Sequence, residues 1–463
     1  MYPSILFVNP GNRLSQFGGV SEYATVAQPL GIIMLASVVR DAGYKVEVLD
    51  AEALNLSVEE TVEHILAIDP LIVGVTAFTT KMTATTKILT LLREKNPYIH
   101  TIIGGHHPSA LPERTLQETG ANILIKGEGY GKILDAVKDI LDGKVKLYDH
   151  IIYSSDELFD IDKLPLPSWD LLPMDKYQAH HWQTWGIGQK NSFALVFTSL
   201  GCPFGCRFCS VNVVYGKRGT RYMSSDRVIN YLDKLKKLDI KHLEIIDDTF
   251  TLKTDRVIEL CDKIIERDYG FNMWAFARTD RTDPKMLKKM KEAGINWVFM
   301  GLEAGSEKVL DGVFKKQDVK QIKEAVQKVH DAGIYIGGNY IFGLPNDTME
   351  SMQETLDLAL DLNLEWSNFF VAMTYPGCID YKERAIEHWE RYGFFAPNSE
   401  PTPNANLTGE QILRFRDYAF NTYFSNPAYQ EMIAQKFGYP IKEHIQGMLK
   451  RKINRVYETI KPS

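Results

Sequence analysis

Two series of short apolar runs alternate with helical patterns along this chain, and a proline-rich stretch separates them. In the first series the runs are ILFV (5–8), VEVLD (46–50), LIVGVTAF (71–78), IHTIIGG (99–105) and NILIKGEG (122–129). Runs this apolar suit strands buried on both faces, as in parallel sheets covered by helices. One intervening helical pattern opens at Pro29, suited to a first turn, and closes at Gly43. Five such strand–helix units predict a doubly wound α/β domain over residues 1–147. Ligands of such sheets sit beyond the carboxyl ends of the strands. Here those ends carry NPGN (9–12), TAFTT (76–80), GGHHPS (104–109) and KGEG (126–129).

KLPLPSWDLLP (163–173) reads as part of an extended linker over 148–190. Alternation resumes with FALVFTSL (193–200), HLEIIDD (242–248), NMWAFAR (272–278), NWVFMGLE (296–303), YIGGNYIFG (335–343) and NFFVAM (368–373). Helical patterns follow the first five, for example SSDRVINYLDKLKKL (224–238), capped by Ser224 or Ser225. Six units joined by right-handed crossovers predict an open, partial TIM-type barrel over 191–378, with its chemistry at the carboxyl ends of the strands. Residues 379–463 are helical in pattern and aromatic.

The formal net charge of −6 argues against nucleic acid or an anionic membrane as the main partner. No run of eighteen apolar residues occurs, so no span is expected. The opening MYPSILFVNPG lacks the basic and apolar regions of a secretory leader, and cysteine is scarce. A cytoplasmic protein is expected, in a compartment where clustered thiols bind metal more readily than they form disulfides.

Three of the five cysteines crowd into SLGCPFGCRFCS (199–210), directly after the first barrel strand. Gly201, Pro203 and Gly205 shape a tight loop that can aim Cys202, Cys206 and Cys209 at one centre. Structural zinc wants a fourth ligand, and neither Cys261, Cys378 nor a nearby histidine offers one in an evident place. Three thiolates suit a four-iron cluster with one iron open to a small molecule. No Ser/His/Asp or metal–carboxylate constellation competes.

CPFGCRFC at the end of the first barrel strand resembles the signature of the radical S-adenosylmethionine (SAM) superfamily. The resemblance implies a 4Fe-4S cluster on Cys202, Cys206 and Cys209 whose open iron binds SAM, and a 5′-deoxyadenosyl radical as the reactive species. It also implies SAM contacts at later strand ends. These are Phe208 in the cysteine loop, Asp247 and Asp248 in IIDDTFT, and Arg278 in AFARTD. Glu303 and Ser306 in GLEAGSE and Tyr340 in GNYIFGLPNDT complete the set. Where relatives have YPGT this chain has YPGC, which puts Cys378 near the expected active site as a candidate catalytic thiol.

The first 375 residues or so resemble radical SAM enzymes that carry a flavodoxin-like (Rossmann-type) cobalamin-binding domain, such as the anaerobic Mg-protoporphyrin ester cyclase and hopanoid methylase group. That resemblance implies cobalamin contacts at Asn9 and Pro10, at Leu30 and Gly31, and at Thr76, Phe78 and Thr79. Gly104, Gly105, His107 and Pro108 follow in GGHHPSA, with Gly127 and Glu128 in KGEG. The Asp-x-His-x-x-Gly signature is absent, so cobalt is expected to lack a histidine ligand and to face Phe78 or Thr79. The implied activity is C-methylation of an unactivated carbon, with cyclase or oxidoreductase chemistry as the alternative and a non-catalytic corrinoid-binding role as a minor one. The implied partners are a small, hydrophobic substrate and a flavodoxin or ferredoxin electron donor. Trp389, Tyr392, Phe394, Phe395 and Tyr423 are candidates to cover such a substrate, and His180, His181, Trp182 and Trp185 to line the domain interface.

Overall fold

A computed structural model of the chain describes residues 4–11, 13–154, 157–185, 192–381, 388–393, 395–451, 453, 455 and 456. Phe394, one of the candidate aromatics, lies outside the described residues. The first series folds as strands β1 (Ser4–Asn9), β2 (Lys45–Asp50), β3 (Ile72–Thr76), β4 (His100–Gly104) and β5 (Ile123–Lys126), joined by β6 (Ile151–Ser154). All pairs are parallel, in the order β2-β1-β3-β4-β5-β6. Strand order reverses beside β1, which opens a crevice at the carboxyl edge between β1 and β3. Helices such as Leu30–Asp41 and Met82–Lys95 bury apolar stripes against the sheet.

The stretch 148–190 is not linker throughout, because β6 within it pairs with β5. That strand escapes sequence reading because it is short and lies at an edge. Its apolar run, IIY (151–153), is only three residues long, and none of the strand is fully buried. Further along, the same stretch inserts into the second domain. Trp182 packs 4.4 Å from Phe299 and 5.3 Å from Trp274 (ring centroids), and Trp185 packs on Trp297, Trp366 and Phe437. These indoles plug one end of the barrel. His180 stacks on Trp182, and His181 lies 4.2 Å from His444, so neither lines an open interface.

The second series gives β7 (Phe193–Val196), then a two-stranded antiparallel pair of β8 (Ser199–Leu200) and β9 (Arg221–Tyr222). It continues with β10 (His242–Ile245), β11 (Asn272–Ala277), β12 (Ile295–Glu303), β13 (Tyr335–Phe342) and β14 (Trp366–Val371). The parallel strands lie in sequential order from β7 to β14, the order of a (β/α) barrel, and β7 and β14 remain as free edges. Helices take one face. On the other, inward-pointing Glu244, Phe276, Gly301, Asn339, Ile341 and Asn368 stay partly accessible while their strand neighbours are buried. A closed barrel fills its centre with side chains. This one keeps an open interior.

The helix Gly409–Ser425 packs on the outer face of β13 and β14, where Tyr423 donates to Leu364 O at 2.6 Å and Arg416 to Phe369 O at 2.9 Å. Among the described residues no helix is long and apolar enough to cross a membrane.

Candidate active site

The cysteine loop is a closed structure hung on β8 and β9. Gly201 has φ +90°, and a Cβ there would overlap Gly219 O, so only glycine fits the crossing. Asn212 grips both sides of Cys202, accepting from its N–H at 3.3 Å and donating to its C=O at 2.9 Å. Cys209 N–H donates to Cys206 O at 3.2 Å. Burial, then the neighbouring Cys206 and Cys202, push the Cys209 thiol up to about 11, and burial also raises Cys202. Cys202 and Cys209 are therefore costly as bare thiolates. A cationic metal centre removes that cost, and the donor set fits a cluster. Phe208, between Cys206 and Cys209 in the chain, is half-buried and packs against the hydrophobic core.

The acids and cation expected around SAM have different fates. Asp247 is fully buried and accepts three bonds of 2.6 Å, from Thr198 N, Thr198 Oγ1 and Ser199 Oγ. It therefore fixes the chain entering the cysteine loop and has no free face for SAM, contrary to the sequence reading. Asp248 accepts only from Gly201 N at 3.0 Å and keeps its surface open; its protein surroundings push it up to about 6, desolvation first. Arg278 is likewise committed, paired with Asp280 at 2.9 Å, donating to Lys315 O and stacked 3.7 Å over Phe204 of the cysteine loop. A salt bridge at the barrel rim, rather than a free guanidinium, is what the fold makes of it. Tyr340 also leaves the expected set. It points to the outer face, fully buried, and stacks on Phe369 beneath the C-terminal helix. Only its backbone lies on the inner strand path.

Glu303 is also paired, through one carboxylate oxygen. It ends β12 at a register shift with φ +64°, strained for a residue with a side chain, and forms a buried ion pair with Lys315. A Cβ on Gly301 would overlap both partners. Ser306 opens the helix Glu307–Gly312, yet its side chain makes no cap bond. Val313 O accepts from Arg207 N at 3.2 Å, so the segment carrying Lys315 also braces the cysteine loop.

At the first sheet, Thr76, Phe78, Thr79, Gly104, Gly105, His107 and Pro108 gather where β3 and β4 end. Gly105, at φ +113°, would place a Cβ 2.8 Å from Ala77 O. Phe78 is 49% exposed and stacks on His106 at 5.1 Å, which leaves a flat aromatic step facing outward. Thr79 Oγ1 lies 3.1 Å from His107 Nδ1, while His107 Nε2 is buried without a partner. An exposed aromatic step beside an unsatisfied buried nitrogen fits a large, partly polar planar ligand. The other expected contacts are taken up by the protein itself, Gly31 excepted. Asn9 donates to Asp50 at 2.7 Å and accepts from Lys81, Pro10 O also accepts from Lys81, Leu30 is core, and Gly31 faces open space. Glu128 forms an ion pair with Arg221 of β9 and accepts from Phe159 N at 2.9 Å, so it bolts the two sheets together.

Three loops meet between the sheets. A Cβ on Gly377, after β14, would lie 2.7 Å from Val213 of the cysteine loop and 3.6 Å from Ala110 of the GGHHPSA segment. Gly127 lies against Val214 O, and Arg207 pairs with Asp380 at 2.9 Å. Cys378, buried in this junction, has its thiol raised by burial. Trp389 covers the first sheet, 4.5 Å from His107 and bonded to Glu118, whereas Tyr423 is core of the outer face and Phe395 packs on Phe17.

Residues 196–359 match the Radical SAM superfamily and residues 18–136 the B12 binding domain. An uncharacterized methyltransferase of Pyrococcus horikoshii, PH0819, is 31% identical over 92% of this chain and 94% of its own length. The chain belongs to the cobalamin-binding radical SAM superfamily. The anaerobic magnesium-protoporphyrin IX monomethyl ester cyclase of Rubrivivax gelatinosus is 28% identical over 92% of this chain and 78% of its own length. The cobalamin-dependent radical enzyme OxsB, solved with aqua-cobalamin and SAM bound, shares the fold at a TM-score of 0.64. It is 18% identical, and the match covers 98% of this chain and 63% of that one. As a radical SAM enzyme with this domain pairing, the protein takes a 4Fe-4S cluster, SAM and cobalamin, and the loops above fit the first and last of these. Sequence reasoning missed Lys315, Asn212, Arg221 and the Arg207–Asp380 pair. Lys315 sits in the polar run FKKQD, which reads as solvated surface, and only packing distinguishes it from Lys316.

Proposed function

We propose that the protein is a cobalamin-dependent methyltransferase that adds a methyl group to an unactivated carbon of a hydrophobic small molecule. The junction of Ala110, Val213 and Gly377 carries this reading, because it sets the corrinoid-side loop against the cysteine loop. When bound, the cluster with SAM supplies hydrogen abstraction and cobalamin supplies the methyl group. The protein's own residues orient and shield. Cys202, Cys206 and Cys209 hold the cluster, Asp248 and Glu303 face the SAM side, and Phe78 with Gly105 shapes the corrinoid seat. A radical able to attack C–H bonds needs exclusion of water and of other partners. Trp182 closes one end of the barrel and Trp389 covers the corrinoid-side loop. Cys378, at the junction, is the thiol placed to meet substrate. A cytoplasmic location and a flavodoxin-type electron donor complete the reading.

The test is anaerobic turnover with methyl-deuterated SAM and magnesium-protoporphyrin IX monomethyl ester, followed by mass spectrometry. A product in which one hydrogen has been replaced by CD3 supports methyl transfer. An unlabelled product that has gained a ring supports the cyclase alternative, which the Rubrivivax relative favours.

A further inference from the structure

Midway along β10, Glu244 faces the open interior, while Leu243 and Ile245 point to the helices and are buried. In register with it stand Leu195 on one side and Trp274 on the other. Strands at this spacing put neighbouring side chains about 4.8 Å apart. Among the described residues nothing bonds or pairs with the Glu244 carboxyl, and burial alone pushes it up to about 8. Trp274 Nε1 is buried and equally without a partner. The walls beside them are Phe276, Phe299 and Trp182. A buried indole N–H with no partner is costly, and beside it stands a half-buried carboxyl that no described residue pairs, so the two offer a polar foothold in an aromatic-walled space.

We infer that Glu244 and Trp274 are a substrate-binding pair on the inner face of the barrel, holding a neutral carbonyl oxygen of the substrate. The inference rests on the proposed function and extends the substrate's site from the junction into the open interior of the barrel. Both groups are hydrogen-bond donors, the indole always and the carboxyl while protonated, so an acceptor satisfies them together. Among the described residues a carboxylate ligand would find no free cation in Lys315, which is bound to Glu303. An ammonium ligand would need an ionised Glu244 and would leave the indole N–H unmet.

The probe is carbonyl-labelled acetophenone, an aromatic ketone that only accepts, added to the full chain loaded with cluster and cobalamin. Isotope-edited infrared spectra and a binding titration read the contact. The expected result is a lowered carbonyl stretch on wild-type protein and about tenfold weaker binding with the shift lost in Glu244→Leu. Glu244→Gln, whose amide still donates, restores part of both. Cluster and corrinoid absorbance show that each variant has folded; if Glu244→Leu fails that check, Trp274→Phe removes one donor at similar shape and is expected to halve the shift. Unchanged binding and stretch in these variants, no binding of acetophenone to wild type, or preferential binding of benzylammonium would each overturn the inference. None of those results bears on the deuterium-transfer test, which reads methyl donation directly.

Discussion

The two sheets have the same number of strands and the same parallel pairing, yet they offer ligands different places. In the first, order reverses beside β1, helices cover both faces, and loops at the carboxyl edge are the only surface left for a cofactor. In the second, order is sequential, helices take one face, and the inner face stays open. Strand order alone thus separates a domain that holds a ligand on its edge from one that holds it inside. The Glu128–Arg221 ion pair and the Ala110–Val213–Gly377 junction bring edge and interior together.

The largest expected effect breaks one side and spares the other. Cys206→Ala should abolish cluster absorbance and SAM cleavage while cobalamin still binds, as read by the corrinoid spectrum. Arg221→Ala attacks the joint. It strands the buried Glu128 carboxylate, and a loss of about 3 kcal/mol is expected in denaturant unfolding, with Glu128→Gln in the same background recovering much of it.

Glu244 gives the barrel a pH signature of its own. Its folded-state value, pushed up to about 8 from an ordinary 4.5, means the folded form holds the proton longer. Its contribution to stability is therefore full below about pH 4.5 and is lost as pH rises through about 8. Glu244→Gln should be the more stable protein at alkaline pH, by about 2 kcal/mol after allowance for partial solvent access, and the difference should vanish near pH 4. A difference flat with pH would contradict it. The smallest effect belongs to the edge site. Gly105→Ala places a methyl against Ala77 O at φ +113° and should cost about 1–2 kcal/mol. Weaker cobalamin uptake is expected, with SAM cleavage unaffected.

Both strand series, the capped helices such as Ser225–Lys237, and the cysteine spacing were legible because each is local: periodicity, caps and turn residues act within a few positions. β6 was not, since a short exposed edge strand has no periodic apolar signal. Among the site residues, nearness to a strand end was legible, as with Phe78, Gly105 and Asp248, because it depends only on the local strand–loop pattern.

What the chain determined unaided is therefore the two α/β units, their order, and a loop able to carry a three-cysteine cluster. Tertiary structure alone decided which charged side chains are free. Asp247, Arg278 and Glu128 look like ligands in the sequence and are consumed by Thr198, Asp280 and Arg221, whereas Glu244 looks like an ordinary strand residue and is left without a partner. The cost of burying a charge or a polar group depends on what faces it, and Asp247 and Glu128 find their partners in residues tens of positions away.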